Sequence, residues 1–229
     1  MILLDSHNIK VDVFANSPNL LSFTVMYQPK KYRKEDPAYI FEFIKQNPFA
    51  TFVMQGKQLL ATHIPILVQG KPEDFTLYGH IANHNEQYES LKDGEEALLI
   101  FKGADGYVSS SWYQEKDIST WDYSAVHVNV RLKLQSRNEL ENSLEKLIAH
   151  FEEGQEKPLY YHELPKQMVE DHLPHITGFW CEPIRIQAVA KLHQTYGKQD
   201  VHSVVEHLKT RGETSALAKD IEEENKLKD

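Results

Sequence analysis

The residues best suited to bind a ligand are concentrated between positions 101 and 129. The stretch FKGADGYVSSSWYQEKDISTWDYSAVHVN holds two of the three tryptophans together with several hydroxyl groups and a histidine, namely Tyr107, Ser109, Ser111, Trp112, Trp121 and His127. Flat apolar side chains can hold a planar ring while hydroxyl groups hydrogen-bond to its polar edge. The pattern therefore predicts one wall of a site for a planar ring, with an aromatic loop that caps a barrel as the alternative.

Two shorter motifs place histidines beside small polar residues. ATHIP contains Thr62 and His63, and GHIANHN contains His80, Asn83 and His84. At strand ends these side chains can donate to phosphate or carbonyl groups of a ligand, although a hydrogen-bonded structural histidine is the simpler interpretation of each one. No HExxH motif and no pair of cysteines accompanies them, so no metal site is predicted.

Compact catalytic fingerprints are missing. The sequence has no GxSxG, GxGxxG or GxxxxGK[ST] motif, which argues against a serine hydrolase, a Rossmann dehydrogenase and a P-loop enzyme. A flavin site built from strand ends has no comparably compact signature and agrees with these absences. Because no positioned acid and base pair stands out, the sequence leaves open whether the protein is an enzyme.

Composition and charge indicate which partners the protein can bind and in which cellular compartment it is expected. The net charge is −9 with a pI near 5.7, and Glu35 and Asp36 directly follow the densest basic patch, PKKYRK. Nucleic acid is therefore a disfavoured partner. The single cysteine, Cys181, fits a reducing compartment. Neither a signal peptide nor an apolar run of membrane-spanning length is evident, so we expect a cytoplasmic protein without a membrane partner.

Many short strands with helices between them predict an α+β fold that is mainly antiparallel β. A helix is expected after Asp36-Pro37, and helical spacing recurs from position 138 onward. The predicted strands are FATFVM, QLLATHIPILVQ, FTLYGHIA, EALLIFKG, GYVSSSWY and AVHVNVRLKLQS, and GFWCEPIRIQAVAKLHQ also has strand character. We expect three regions: an N-terminal extension over 1–25, a barrel domain over 26–212, and an exposed charged helix or tail over 213–229.

From Met26 onward the chain resembles the PaiB family of FMN-binding negative transcriptional regulators, within the FMN-binding split-barrel superfamily. The resemblance covers nearly all of residues 26–210 and rests on the order of MYQPKKY, NPFATFV, LLATHIP, GHIANHN, FKGADGYVSSSWY, STWDYSAVHV, ITGFWCEPIRI and KLHQ. It implies a six-stranded split barrel that forms a homodimer, with FMN or a similar planar ring at the subunit interface. It also implies relatives among pyridoxamine phosphate oxidases, flavin reductases and haem-degrading oxygenases.

The same resemblance implies positions for the cofactor. Tyr107 and Trp112 would flank the ring, Ser109 and Ser111 would hydrogen-bond to its edge, and Thr62 with His63 would serve the ribityl phosphate. Further ligand-proximal positions are His80, Asn83, Trp121 and His127. Three functions follow as hypotheses: a flavin-binding module or flavin-dependent oxidoreductase, a haem-binding or haem-degrading protein, and a DNA-binding regulator.

Five positions named here depart from the family pattern. Where the family has GHxARAN, this chain has Asn83 and His84, so a cationic phosphate contact is missing. Ser110 replaces a proline, Asp122 replaces the asparagine of TWNY, and His193 replaces the serine of KLSQN. We expect Asp122 to add negative charge beside the pocket. His84 and His193 support the haem alternative, since imidazole is a common axial ligand.

Overall fold

The computed structural model describes residues 26–212 and 214–226, so the predicted N-terminal extension lies outside the described residues. Within this part of the chain one antiparallel sheet has the order β3-β2-β6-β7-β8-β5-β4, with β1 paired to β8. Its strands are β1 Arg33–Lys34, β2 Phe49–Gln55, β3 Leu59–Pro65, β4 Leu67–Lys71, β5 Asp74–Ala82, β6 Glu96–Val108, β7 Thr120–Leu134 and β8 Ile176–Lys191. Strands β3 and β4 are the two edge strands of this order, yet only Ile66 separates them along the chain. The two edges must therefore lie close together, which means that the sheet curls into a barrel.

Helices lie around this barrel. They are α1 Pro37–Gln46, α2 Arg137–Glu152, α3 Lys166–His172, α4 Lys198–Thr210 and α5 Ser215–Lys226. The first helix begins as predicted, with the Asp36 side chain accepting from the backbone N–H of Ala38 and Pro37 at the first helical position. Among the described residues, no helix is both long and apolar enough to span a membrane.

The main core fills the barrel interior. Phe52, Phe101 and Phe179 are fully buried, and the rings of Phe52 and Phe179 stack at 5.1 Å. Along β7 the even-numbered residues Val126 and Val128 point into this core. Because side chains alternate along a strand, the odd-numbered residues of β7 face outward, and this alternation positions the candidate site.

A second core lies between α4, α5 and the ends of β6 and β8. Val108, Leu208 and Leu217 are completely buried there. The sequence predicted that the last helix would be exposed, but Leu217, Ala218 and Ile221 form an apolar face that packs into this core. Their spacing places them on one side of the helix, so that this apolar side is buried while the charged side faces solvent.

The split-barrel class is as predicted, and the strand expected over GFWCEPIRIQAVAKLHQ is present as β8. The six strands that the family resemblance implies are too few, because the described residues form an eight-stranded sheet. QLLATHIPILVQ forms two strands because Pro65 has no N–H with which to extend the ladder. There the chain turns, and the N–H of Ile66 donates to the Pro48 carbonyl at 2.8 Å. GYVSSSWY is not a separate strand, since Gly106–Val108 continue β6 after an irregularity between Lys102 and Asp105.

Candidate functional site

A line of outward-facing residues crosses five neighbouring strands of the barrel. Register pairs His63 with Thr51, Thr51 with Ile100, Ile100 with His127, and His127 with Gln187. Two predicted site residues, His63 and His127, therefore lie in one cross-strand row. We call these five residues the histidine row.

The next row in register supplies an apolar floor beside the histidine row. Val53 pairs with Leu98, Leu98 with Asn129, and Asn129 with Arg185. Val53 and Leu98 are half-buried, as is Ile100, although all three point away from the barrel core, and Arg185 is exposed. Aliphatic side chains beside amide and imidazole groups form a surface that suits a flat ring with a polar edge.

His127 has an unsatisfied nitrogen on this surface. Its Nδ1 is buried and has no hydrogen-bond partner among the residues that the structure describes. Burial lowers the pKa of His127, which favours the neutral imidazole. A buried polar atom without a partner costs about 1–3 kcal/mol, so a ligand or partner molecule that reached Nδ1 would recover that cost.

His63 is available at the other end of the histidine row. Its side chain is exposed, and its ring stacks on that of Phe49 at 6.2 Å. Thr62, the neighbouring predicted residue, points to the opposite side of β3, where its hydroxyl accepts from Asn85 Nδ2 at 2.9 Å. Thr62 and His63 therefore do not act on the same surface.

The predicted site residues at the end of β5, His80 and Asn83, make contacts within the protein itself. Asn83 Nδ2 donates to the Pro174 carbonyl at 2.9 Å, and Asn83 Oδ1 accepts from the Thr177 hydroxyl at 2.7 Å. His80 is half-buried, and desolvation lowers its pKa. Asn83 thus joins two segments of the chain, and because its side chain is neutral it does not replace the charge of the missing arginine. Its predicted part in ligand binding stays a prediction.

Tyr107 and Trp121 form an exposed aromatic pair. They lie opposite each other on β6 and β7, their rings meet edge to face at 6.3 Å, and they are 42% and 58% exposed. Trp121 is six residues from His127 along β7, or roughly 20 Å. Between them, Met26 and Tyr32 pack against Ala125 of β7 and its neighbour on β8. The aromatic pair and the histidine row are therefore separate surfaces.

Ser109, Ser111 and Trp112 belong to the turn after β6. Ser109 Oγ and Ser111 Oγ are 2.8 Å apart, and Ser109 Oγ also accepts from the backbone N–H of Ser111. Trp112 is buried, with the His207 ring stacked on it at 4.9 Å and the Arg211 guanidinium 4.8 Å from its ring centroid. The contacts of Trp112 thus fix α4 to the barrel.

Two of the unusual positions contact each other. Asp122 points inward and is buried, its Oδ2 is hydrogen-bonded to His193 Nδ1, and Lys191 Nζ lies 3.6 Å from its Oδ1. Asp122 therefore does not face the same surface as Trp121, contrary to expectation, because neighbouring residues of a strand point to opposite sides. His193 Nε2 is hydrogen-bonded to the Tyr113 hydroxyl at 3.0 Å. With both ring nitrogens engaged, His193 cannot ligate haem, whereas His84 is exposed.

The curled, mainly antiparallel sheet with helices around it is the architecture of the flavin-type split-barrel class. Two solved structures share this fold. The FAD and haem binding protein from Mycobacterium smegmatis has a TM-score of 0.53 and 13% identity, covering 75% of this chain and 80% of that one. The flavocytochrome Anf3 from Azotobacter vinelandii has a TM-score of 0.53 and 12% identity, covering 75% of each chain.

The family itself follows from the sequence comparisons. The model of a putative FMN-binding domain matches residues 26–188. The Bacillus subtilis (strain 168) protein "Protease synthase and sporulation protein PAI 2" is 33% identical over 207 residues, which is 89% of this chain and 99% of that protein. The chain belongs to this FMN-binding PaiB family, which confirms the predicted resemblance and its assignment to a flavin-type cofactor.

Proposed function

We propose that this protein binds FMN on the outer face of the barrel, with the ring lying against the histidine row. The observation that supports this most directly is the buried Nδ1 of His127, which has no hydrogen-bond partner in the described part of the chain and lies beside half-buried aliphatic side chains. A flavin ring combines an apolar face with hydrogen-bonding edge atoms, and it would satisfy both features at once. Ile100 and Leu98 would contact the ring face, and His127 and Gln187 would contact its edge.

The phosphate of FMN needs a cationic partner that Asn83 cannot supply. Arg185 is exposed on the outer face, in the row next to His127. A guanidinium group can bind phosphate through two charge-assisted hydrogen bonds. We assign Arg185 this role in place of the arginine that the family pattern has two residues after Ile81.

A bound flavin supplies electron or hydride transfer, and the protein supplies orientation and the electrostatic environment. On the histidine row, the neutral imidazole of His127 would hold the ring edge, and the aliphatic floor would exclude water from one ring face. We therefore infer a flavin-binding module with redox capacity.

A second copy of the chain would complete the site. The outward face carries the aliphatic residues Val53, Leu98 and Ile100, whereas the surface of a monomeric protein is usually polar. A symmetric dimer through this face would cover the second side of the flavin ring. Any regulatory activity would then act through the ligand or a protein partner, because a net charge of −9 opposes direct contact with DNA phosphates.

The test is FMN titration of the purified protein, followed by flavin fluorescence and absorbance. We expect wild-type protein to bind FMN, and His127→Leu to bind it about tenfold more weakly, since one hydrogen bond of about 1.4 kcal/mol is lost. The matched control is His150→Leu, which alters an exposed histidine on α2 and should bind as wild type does. Equal affinity in both variants would reject the assignment of His127.

Haem is the second candidate ligand, because His63 presents an exposed imidazole on the same face. Hemin titration distinguishes the two. A Soret shift that disappears in His63→Ala, in protein that does not respond to FMN, would replace the flavin proposal by haem binding.

A further inference from the structure

A second chemical arrangement lies inside the fold, away from the histidine row. It begins at the buried carboxylate of Asp122, continues through His193 and ends at the hydroxyl of Tyr113. Since a carboxylate oxygen only accepts, His193 Nδ1 carries the proton in that contact, and Nε2 accepts from the Tyr113 hydroxyl. A carboxylate, an imidazole and a hydroxyl are thus joined in the order that activates a hydroxyl group.

A second tyrosine, Tyr196, packs against this arrangement beside an open cavity. The ring of Tyr196 stacks on His193 at 4.4 Å and on Tyr113 at 5.2 Å. Tyr113 and Tyr196 line a cavity of about 480 Å³ between the segment after Trp112 and the start of α4. Polar groups therefore connect a fully buried carboxylate to an open cavity.

The buried contact between Asp122 and His193 costs more free energy than a role in packing alone would explain. Asp122 and His193 are 0% and 2% exposed, and burying charged or polar groups carries a large desolvation cost. His193 also has a φ of 60°, in the left-handed region that side chains other than glycine rarely adopt. The family pattern has asparagine and serine at these two positions, so both members of the contacting pair are departures. Strained, buried titratable pairs of this kind occur preferentially at functional sites.

We propose that Asp122, His193 and Tyr113 form an acid–base relay at a second ligand site, where Tyr113 takes a proton from an O–H or N–H group of a small polar molecule. As the substrate proton moves to Tyr113 Oη, the original Tyr113 proton moves to His193 Nε2. The products are the deprotonated substrate and a protonated His193 that is stabilised by Asp122. Charge and atoms balance without any redox partner.

The direct contact with His193 is essential to this relay. Burial raises the pKa of Tyr113, so a free phenolate would not form near neutral pH, and proton transfer to a neighbouring base is required. The cavity lining carries the carboxylates of Glu115, Asp117 and Asp200 and the amines of two lysines. This mixed lining suits a neutral polar molecule better than a polyanion.

The test uses p-nitrophenyl acetate, which reports an activated hydroxyl group. Tyr113 Oη attacks the acetyl carbon, its proton passes to His193, p-nitrophenolate leaves, and mass spectrometry of peptides detects acetyl-Tyr113. Tyr88, which is 42% exposed on the 3-10 helix Glu86–Ser90, is the internal reference. We expect Tyr113 to be acetylated faster than Tyr88 at neutral pH.

The decisive variant is Asp122→Asn/His193→Ser, which introduces the residues of the family pattern and should preserve folding. We expect at least about a tenfold slower acetylation of Tyr113, with Tyr88 unchanged. Wild-type labelling of Tyr113 in this variant, or labelling of Tyr113 no faster than that of Tyr88, would overturn the relay. If the double variant fails to fold, His193→Gln serves the same comparison. FMN titration of the folded variant should match wild type, which separates this result from the flavin proposal.

Discussion

At the scale of single residues, His127 links stability to pH. Burial lowers its pKa, and the pKa of His80 is lowered for the same reason. Below the ordinary histidine pKa of about 6.5 the unfolded chain binds protons that the folded chain does not. The free energy of unfolding should therefore decrease as pH falls below about 6.5, and this loss should be absent above it.

The variant His127→Gln should reduce that acid-induced loss of stability. The measurement is urea denaturation at pH 7.5 and pH 5, compared with wild type. The exposed-site control His150→Gln should retain the wild-type pH dependence. An identical loss of stability in His127→Gln and wild type would show that His127 is not desolvated as its environment implies.

The contact between Asp122 and His193 shows which features of the site could not be predicted from the sequence. Asp122 and His193 each differed visibly from the family pattern, but they are 71 positions apart. Pairing them requires the register of β7 and the left-handed backbone at His193, and neither is encoded in a local motif. By contrast, the alternation around His127 is local, and from it the outward direction of that side chain follows directly.

At the scale of elements, local signals predicted most helices and strands. Asp36-Pro37 correctly marked the start of α1. The helical spacing from Asn138 predicted α2, which begins one residue earlier behind a capping box of Ser136 and Glu139 that was not used in the prediction. The division at Pro65 was missed because it depends on which strand each half pairs with, and that is a long-range property. The same applies to Gly106, whose absent side chain leaves room for Leu217, 2.9 Å from where a Cβ would lie.

The last helix should contribute substantially to stability. Leu217 is 0% exposed in the second core, so Leu217→Ala should lower the free energy of unfolding by about 2–5 kcal/mol. Urea denaturation followed by circular dichroism measures this change. Leu159→Ala, at a site that is 53% exposed, is the control and should have little effect. Equal stability of both variants would mean that α5 does not pack as described.

At the scale of the whole molecule, the fold separates two surfaces that the sequence presented as one. The aromatic, hydroxyl-rich stretch from Phe101 to Asn129 runs along two long strands, and its side chains face both sides of the sheet. Trp112 enters the second core, while Tyr107 and Trp121 lie on the outer side and His127 lies on the face that we propose for the flavin. Tyr107 and Trp121 keep their predicted role in ligand binding as a prediction.

The most direct test of the flavin assignment changes the aliphatic residue in the middle of the histidine row. We expect wild-type protein to be dimeric and to bind one FMN per chain, and Ile100→Glu to lose both properties, because a carboxylate would be buried under the ring and the second copy. Flavin absorbance combined with light scattering measures both, and Met168→Glu, on the exposed side of α3, is the control. Wild-type FMN affinity in a folded Ile100→Glu variant would contradict the placement of the flavin on this face.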